Sequence, residues 1–206
     1  ALLAIAAGAG AALAIGGRAS AQQNQNFDNV KMDIVEVRPN VHMIVGAGGN
    51  TTVFSGEEGL MVVDTQFPQV SDKLLAAIRS ISDATIRYVV STHVHGDHLV
   101  AGSARYVCAA PSLPFLRKRL GTEVAAEGVP YGEPFRLGDV TVSFHPSGHV
   151  LGAAQIRLEA GGEVWVVSGD YKRAPDPTCA PFEVVPCDVF ITEATFALPL
   201  YRWRDP

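Results

Sequence analysis

The chain predicts an α/β fold of two sheets flanked by helices, and three observations predict it. Short strand-like apolar runs recur along the sequence, whereas helical periodicity is confined to two stretches. One of those stretches lies between two strand-like runs, the strand–helix–strand order an α/β layer requires. With 206 residues, 48% of them hydrophobic, there is enough chain for one domain with a sizeable core and too little for two.

The polar stretch Gln22 to Asn29 reads as a lead-in. Met32 to Val37 alternates weakly, as a strand does. Val41 to Val45 and Thr51 to Phe54 add two strands, joined by the glycine-rich turn Gly46 to Asn50. That turn lacks the lysine and helix of a phosphate loop. Leu60 to Val63 is a continuous apolar run ending in Asp64, the pattern of a buried strand. Ser71 is placed to cap a helix with Leu74, Leu75, Ile78 and Ile81 on one face. Arg87 to Val90 and Arg105 to Cys108 are strands, and Ser112 opens a short helix stopped by Gly121. Val140 to Phe144, Ala154 to Leu158, Val164 to Val167 and Asp188 to Thr192 complete the set.

The first residues stand apart. Ala1 to Ile15 is an Ala/Leu/Ile/Gly run, followed by Gly16-Gly17-Arg18 and by Ala19-Ser20-Ala21. This reads as the apolar core and A-x-A site of a secretory signal over residues 1–21, clipped at its start, with the domain occupying 22–206. On that reading the mature protein is periplasmic or secreted and has no stable membrane association. Cys108, Cys179 and Cys187 show no C-x-x-C spacing and are expected as small hydrophobes. The formal charge of −5 argues against a uniformly basic nucleic-acid binder, but leaves room for a local groove.

His93-Val94-His95-Gly96-Asp97-His98 carries the most chemistry: three imidazoles and a carboxylate directly after a strand. Zinc takes such ligands when it keeps a position open for water. A strand ending in a tight loop would aim His93 and His95 at one ion, and Asp97 and His98 at a second beside it. Two adjacent metals read as a hydrolytic site.

The spacing H-x-H-x-D-H resembles that of the metallo-β-lactamase superfamily. The resemblance implies an αββα sandwich, here truncated at its C-terminus, with a dinuclear site at one edge. It also implies roles for residues elsewhere. His149, in Pro146 to Gly152, matches the third histidine of the first metal, beside His93 and His95. Asp170, in Val167 to Tyr171, matches the aspartate bridging to the second metal, which Asp97 and His98 also serve. Asp64 matches a strand-end aspartate that holds ligand histidines in place. Asp97 and Asp170 are the expected catalytic carboxylates, orienting water and taking up its proton. Two zinc ions are expected, with manganese as an alternative. His42 reads as a strand residue near the surface, and His145 as a neighbour supporting the ligands.

The two halves resemble different branches of that superfamily. Residues 1–98 look like an exported hydrolase. Residues 102–206 look like the bacterial ligase-associated DNA exonucleases of the β-CASP branch. The blocks that carry this are Gly102 to Cys108, Pro130 to Glu133, His145 to Gly152, Ser168 to Lys172, Pro175 to Phe182 and Ile191 to Phe196. In that branch Glu193 would support a ligand histidine, and later histidines and a cap domain follow. Neither follows here, so the second metal is expected to lack its last ligand, and the chain reads as a chimera or a joined fragment.

The leading expectation is therefore phosphodiester hydrolysis, with DNA as partner through the C-terminal half. Arg117-Lys118-Arg119, Lys172-Arg173 and Arg202 with Arg204 are candidates for a phosphate path, or else solvated surface. A nuclease standing alone would work in the cytoplasm. Two other readings stay open: an exported hydrolase of lactams, lactones or thioesters, and a metal-binding fragment without useful catalysis.

Overall fold

The computed structural model describes residues 2–6, 13–15, 26–99 and 105–193. Strands β1 (Leu2–Ala6) and β2 (Leu13–Ile15) lie within the segment expected as a secretory signal, and the rest of that segment is outside the described residues.

The first sheet runs β3 (Asp33–Arg38), β4 (Val41–Val45), β5 (Thr51–Gly56), β6 (Gly59–Val63), β7 (Ile86–Val90), β8 (Tyr106–Ala109) and β9 (Ala126–Val129). Pairing is antiparallel from β3 to β6 and parallel from β6 to β9. The second sheet runs β10 (Phe135–Leu137), β11 (Val140–Pro146), β12 (Ala154–Ala160), β13 (Glu163–Val167), β14 (Val189–Glu193), then β1 and β2. Both sheets are mixed: the first changes from antiparallel to parallel at β6, and in the second β13 and β14 are parallel while their other neighbours are antiparallel.

Alternation along the strands divides the apolar residues between two layers. Met61 and Val63 of β6 join Val142, Phe144, Ile156, Trp165 and Ile191 between the sheets. Leu60 and Val62 face outward, where Leu74, Ala77 and Ile78 of helix α1 (Ser71–Ile81) cover them. Helix α2 (Leu113–Leu120) inserts Leu116 among Val94, Leu99, Tyr106 and Cys108. The helices therefore sit on the first sheet, and α2 bears directly on the loop after β7. Among the described residues no helix is long and apolar enough to cross a membrane.

The second sheet's outer face carries a coil instead of a helix among the described residues. Residues 170–188 include Pro175, Pro177, Pro181 and Pro186, which no helix interior tolerates well. Glu183 N–H donates to the Pro146 carbonyl, and Gln155 Nε2 donates to the carbonyls of Pro146 and Glu183. This coil is strapped across the ends of β11 and β12.

Several expectations are corrected in detail. Ser71 does not cap α1: a 3₁₀ turn, Pro68–Val70, precedes it, and the Ser71 hydroxyl donates back to the Pro68 carbonyl. Leu75 lies at the surface, because the buried stripe passes through Ala77 instead. Strands β9 and β10 lacked a sequence signature. In β9 the Ala-Glu-Gly-Val pattern shows no β-branched run, and Gly128 serves close packing, a Cβ there lying 3.0 Å from Ala110 Cα. Cys108 is buried, Cys179 and Cys187 are half-buried, and all three are free thiols.

Candidate metal centre

The centre forms where the parallel strands end. β7 finishes at Val90, and the chain turns through Ser91 and Thr92 into the histidine cluster. Asp64, one residue past β6, holds that turn. Its carboxylate accepts from the Thr92 N–H at 2.7 Å, the Thr92 hydroxyl at 2.6 Å and the His98 ring at 2.9 Å. Asp64 is itself 1% exposed and sits at φ 58, a left-handed backbone rare outside glycine. Such strain persists only where the surroundings impose it, and three hydrogen bonds do so here. The Thr92 carbonyl accepts from Ala154 N–H, tying the loop to β12 of the second sheet.

The second sheet supplies the facing side chains. His149 sits in the turn between β11 and β12, and Asp170 follows β13. Gly148 and Gly169 make this possible, both at positive φ, with a Cβ on Gly148 running into the Lys172 carbonyl and one on Gly169 into Thr92. Lys172 N–H donates to the Ser147 carbonyl, closing the two loops on each other.

These elements bring six of the expected side chains together. Donor atoms of His93, His95, His149 and Asp170 lie within 4.8 Å of one another. His93 Nε2 is 3.1 Å from His95 Nδ1 and 3.8 Å from Asp170 Oδ2, and His149 Nε2 is 3.5 Å from that same oxygen. A tetrahedral zinc about 2.1 Å from each ligand separates neighbouring ligands by about 3.4 Å, so this group fits one ion. The other oxygen, Asp170 Oδ1, is 3.7 Å from His98 Nε2, which is 3.9 Å from Asp97 Oδ2. Asp170 thus turns one oxygen to each histidine group.

Electrostatics favour neutral imidazoles able to donate a lone pair. His93 is held far below its ordinary pKa, first by burial, then by His98, His95, His149 and the Arg119 guanidinium. His149 is lowered by burial, against an opposing pull from Asp170. His149 Nε2 is buried with no hydrogen-bond partner among the described residues, an arrangement a metal ion would satisfy.

Other expected residues lie elsewhere. His145 does not support the ligands directly: it bonds Ser143 Oγ through Nε2 at 3.0 Å and Glu183 Oε1 through Nδ1 at 3.0 Å, so it braces the coil. His42 is a half-buried residue of β4. Glu193 ends β14, and its side chain lies outside the described residues, as do Arg202 and Arg204. Three contributors had gone unassigned. Thr92 donates to Asp64, Gln66 fixes the glycine turn by accepting from Ala47 N–H at 2.9 Å, and Gly49 packs flat against the His98 ring. The turn itself could be read from its glycines, but its contact with the metal loop could not.

Comparison with known proteins bears on the family and the fold. The family model described as the metallo-beta-lactamase superfamily matches residues 44–114. A probable DNA ligase of Opitutus terrae is 31% identical over 112 residues, covering 53% of this chain and 11% of that protein. An endoribonuclease of Gibberella zeae is 34% identical over 82 residues, covering 38% of this chain and 10% of that protein. The chain thus spans about a tenth of the length of these curated relatives. Among solved structures, a subclass B3 metallo-β-lactamase of Bradyrhizobium japonicum matches with TM-score 0.52 at 20% identity, over 69% of this chain and 63% of that one. Another, from a soil metagenome library, matches with TM-score 0.56 at 16% identity, over 68% and 62%. At that identity the likeness is one of fold.

Proposed function

We propose that the chain, which matches the metallo-β-lactamase superfamily model over residues 44–114, is a metal-dependent hydrolase of that superfamily and hydrolyses phosphodiester bonds of nucleic acid at a dinuclear centre. His93, His95 and His149 would hold one ion, Asp97 and His98 the other, with Asp170 between them. The observation that carries this is the division of Asp170, Oδ2 toward His93 and His149 and Oδ1 toward His98.

Bound zinc-type ions, or manganese, supply water of lowered pKa and polarise the scissile group. The protein's own residues do the rest. Asp97 and Asp170, each about a third exposed, offer carboxylate oxygens at the mouth that orient water and accept its proton. His93 and His98, each 1% exposed, are immobilised behind them. Asp64 and Thr92 fix the loop from beneath, so that donor positions are set before substrate arrives.

Phosphodiester substrate is supported by two kinds of likeness. The sequence blocks from Gly102 to Phe196 resemble DNA exonucleases, and the partial relatives include a probable DNA ligase and endoribonucleases. The test is cleavage of end-labelled single- and double-stranded DNA and RNA by the full chain, with zinc or manganese. Cutting that disappears in Asp170→Ala supports the proposal. Intact nucleic acid alongside turnover of a chromogenic lactam would replace it with the exported-hydrolase reading.

A further inference from the structure

The metal loop has a cationic neighbour that the ligand set does not use. Helix α2 is seated on that loop through Leu116, which packs with Val94 and Leu99 from either side of the histidine cluster. Arg119 follows Leu116 by three residues, so it lies on the adjacent part of the same helical face. Its Nη1 lies 3.6 Å from where a Cβ on Gly96 would stand. Gly96, half-exposed between His95 and Asp97, forms the rim of the centre.

Three other basic residues are engaged. Arg105 pairs with Glu127, Arg117 donates to the Ala126 carbonyl, and Lys172 pairs with Asp176. Arg119 is exposed and pairs with no carboxylate among the described residues. Held beside a rim intended for divalent cations, an unpaired guanidinium is repelled. An anion between the two removes the repulsion. Two carboxylates, Asp97 and Asp170, do not neutralise a pair of divalent ions, so the rim attracts anions on both counts. A planar guanidinium also matches phosphate oxygens in a bidentate fork. The absence of a side chain on Gly96 leaves the approach open.

We propose that Arg119, reaching over Gly96 at the rim of the histidine cluster, is an anion-binding residue that grips a phosphate of the substrate. The proposal rests on the phosphodiester reading for its choice of phosphate, but the anion site can be tested without it. Arg119 acts on the substrate and touches none of the metal ligands by hydrogen bond, so its loss leaves the metals in place.

The experiment is calorimetric titration of inorganic phosphate into the metal-loaded full chain, for wild type, Arg119→Ala and Arg119→Lys. Metal content is measured on the same samples. Arg119→Ala should weaken phosphate binding about tenfold, the loss of a charge-assisted contact, with Arg119→Lys between it and wild type. Metal content should stay unchanged. Where nucleic acid is cut, KM should rise by a similar factor while kcat stays within about twofold. Phosphate affinity equal to wild type in Arg119→Ala would overturn the proposal, as would a loss of binding that merely follows a loss of metal. A tenfold loss of phosphate binding in a protein that cuts no nucleic acid would keep the anion site and remove the phosphodiester reading instead.

Discussion

Asp64 accepts the Nδ1 proton of His98 at 2.9 Å, and so determines which ring nitrogen faces Asp97 and Asp170. With the proton held on Nδ1, Nε2 is the lone-pair nitrogen, and it is the one that faces the centre. Asp64→Asn keeps the shape but turns an amide toward a ring that needs an acceptor. Metal affinity should fall about 10–100-fold, the usual cost of losing such a partner. Competition with a chromophoric chelator measures it, and wild-type affinity would show that the His98 ring orients itself without Asp64.

Gly49 gives a steric test of the same ring. Its backbone is not in the left-handed region, so alanine meets no conformational penalty there. The added Cβ would instead overlap the His98 imidazole. Since His98 is 1% exposed and tied to Asp64, it has no room to retreat. Gly49→Ala should cost about 1–3 kcal/mol in urea unfolding and lower metal content, the ordinary penalty of overpacking. A fully stable, fully metallated variant would mean that the loop shifts freely.

Both cases mark the limit of what could be read from the residues. Strands such as Val41–Val45 and Leu60–Val63 were legible because a buried strand needs a continuous or alternating apolar run, and that pattern is local. The cluster from His93 to His98 was legible for the same reason, its ligands being neighbours in the chain. His149 and Asp170 were single residues in glycine-rich loops, and only a family resemblance drew them into the set. Their meeting depends on how two sheets face each other, which no local pattern encodes. The roles of Gly49 and Thr92 are contacts between distant segments and were not visible at all, and Arg119 stood only within a basic run, its place beside Gly96 unread. Ser71 misled because a hydroxyl before an apolar periodic stretch looks the same whether it caps the helix or lies in its first turn.

The coil across β11 and β12 offers a test away from the ligands. Gln155, 1% exposed, gives both amide protons to the carbonyls of Pro146 and Glu183. Pro146 and Gln155 flank the turn that presents His149. Gln155→Ala leaves the Glu183 carbonyl without this donor and the Pro146 carbonyl with Glu183 N–H alone, and should cost about 1–3 kcal/mol. Amide exchange should quicken between 146 and 152 before it does in β4 or β5. Uniform loss of protection across both sheets would mean that the coil and the sandwich unfold as one unit, against the expectation.

Cys108 makes a prediction about pH. Burial pushes its thiol up to about 12 from an ordinary 9.0, with Arg117 pulling weakly the other way. A raised thiol pKa means that the folded protein holds the proton more tightly than the unfolded chain. The associated stability is whole below pH 9 and is lost as pH rises toward about 12. At pH 8 the native thiol is therefore neutral and unreactive. Iodoacetamide at that pH should modify Cys179, half-buried, while Cys108 stays unlabelled until urea is added. Mass spectrometry of the labelled peptides distinguishes them. Equal rates at Cys108 and Cys179 in the native protein would show that β8 opens locally, exposing the face against which Leu116 and α2 pack.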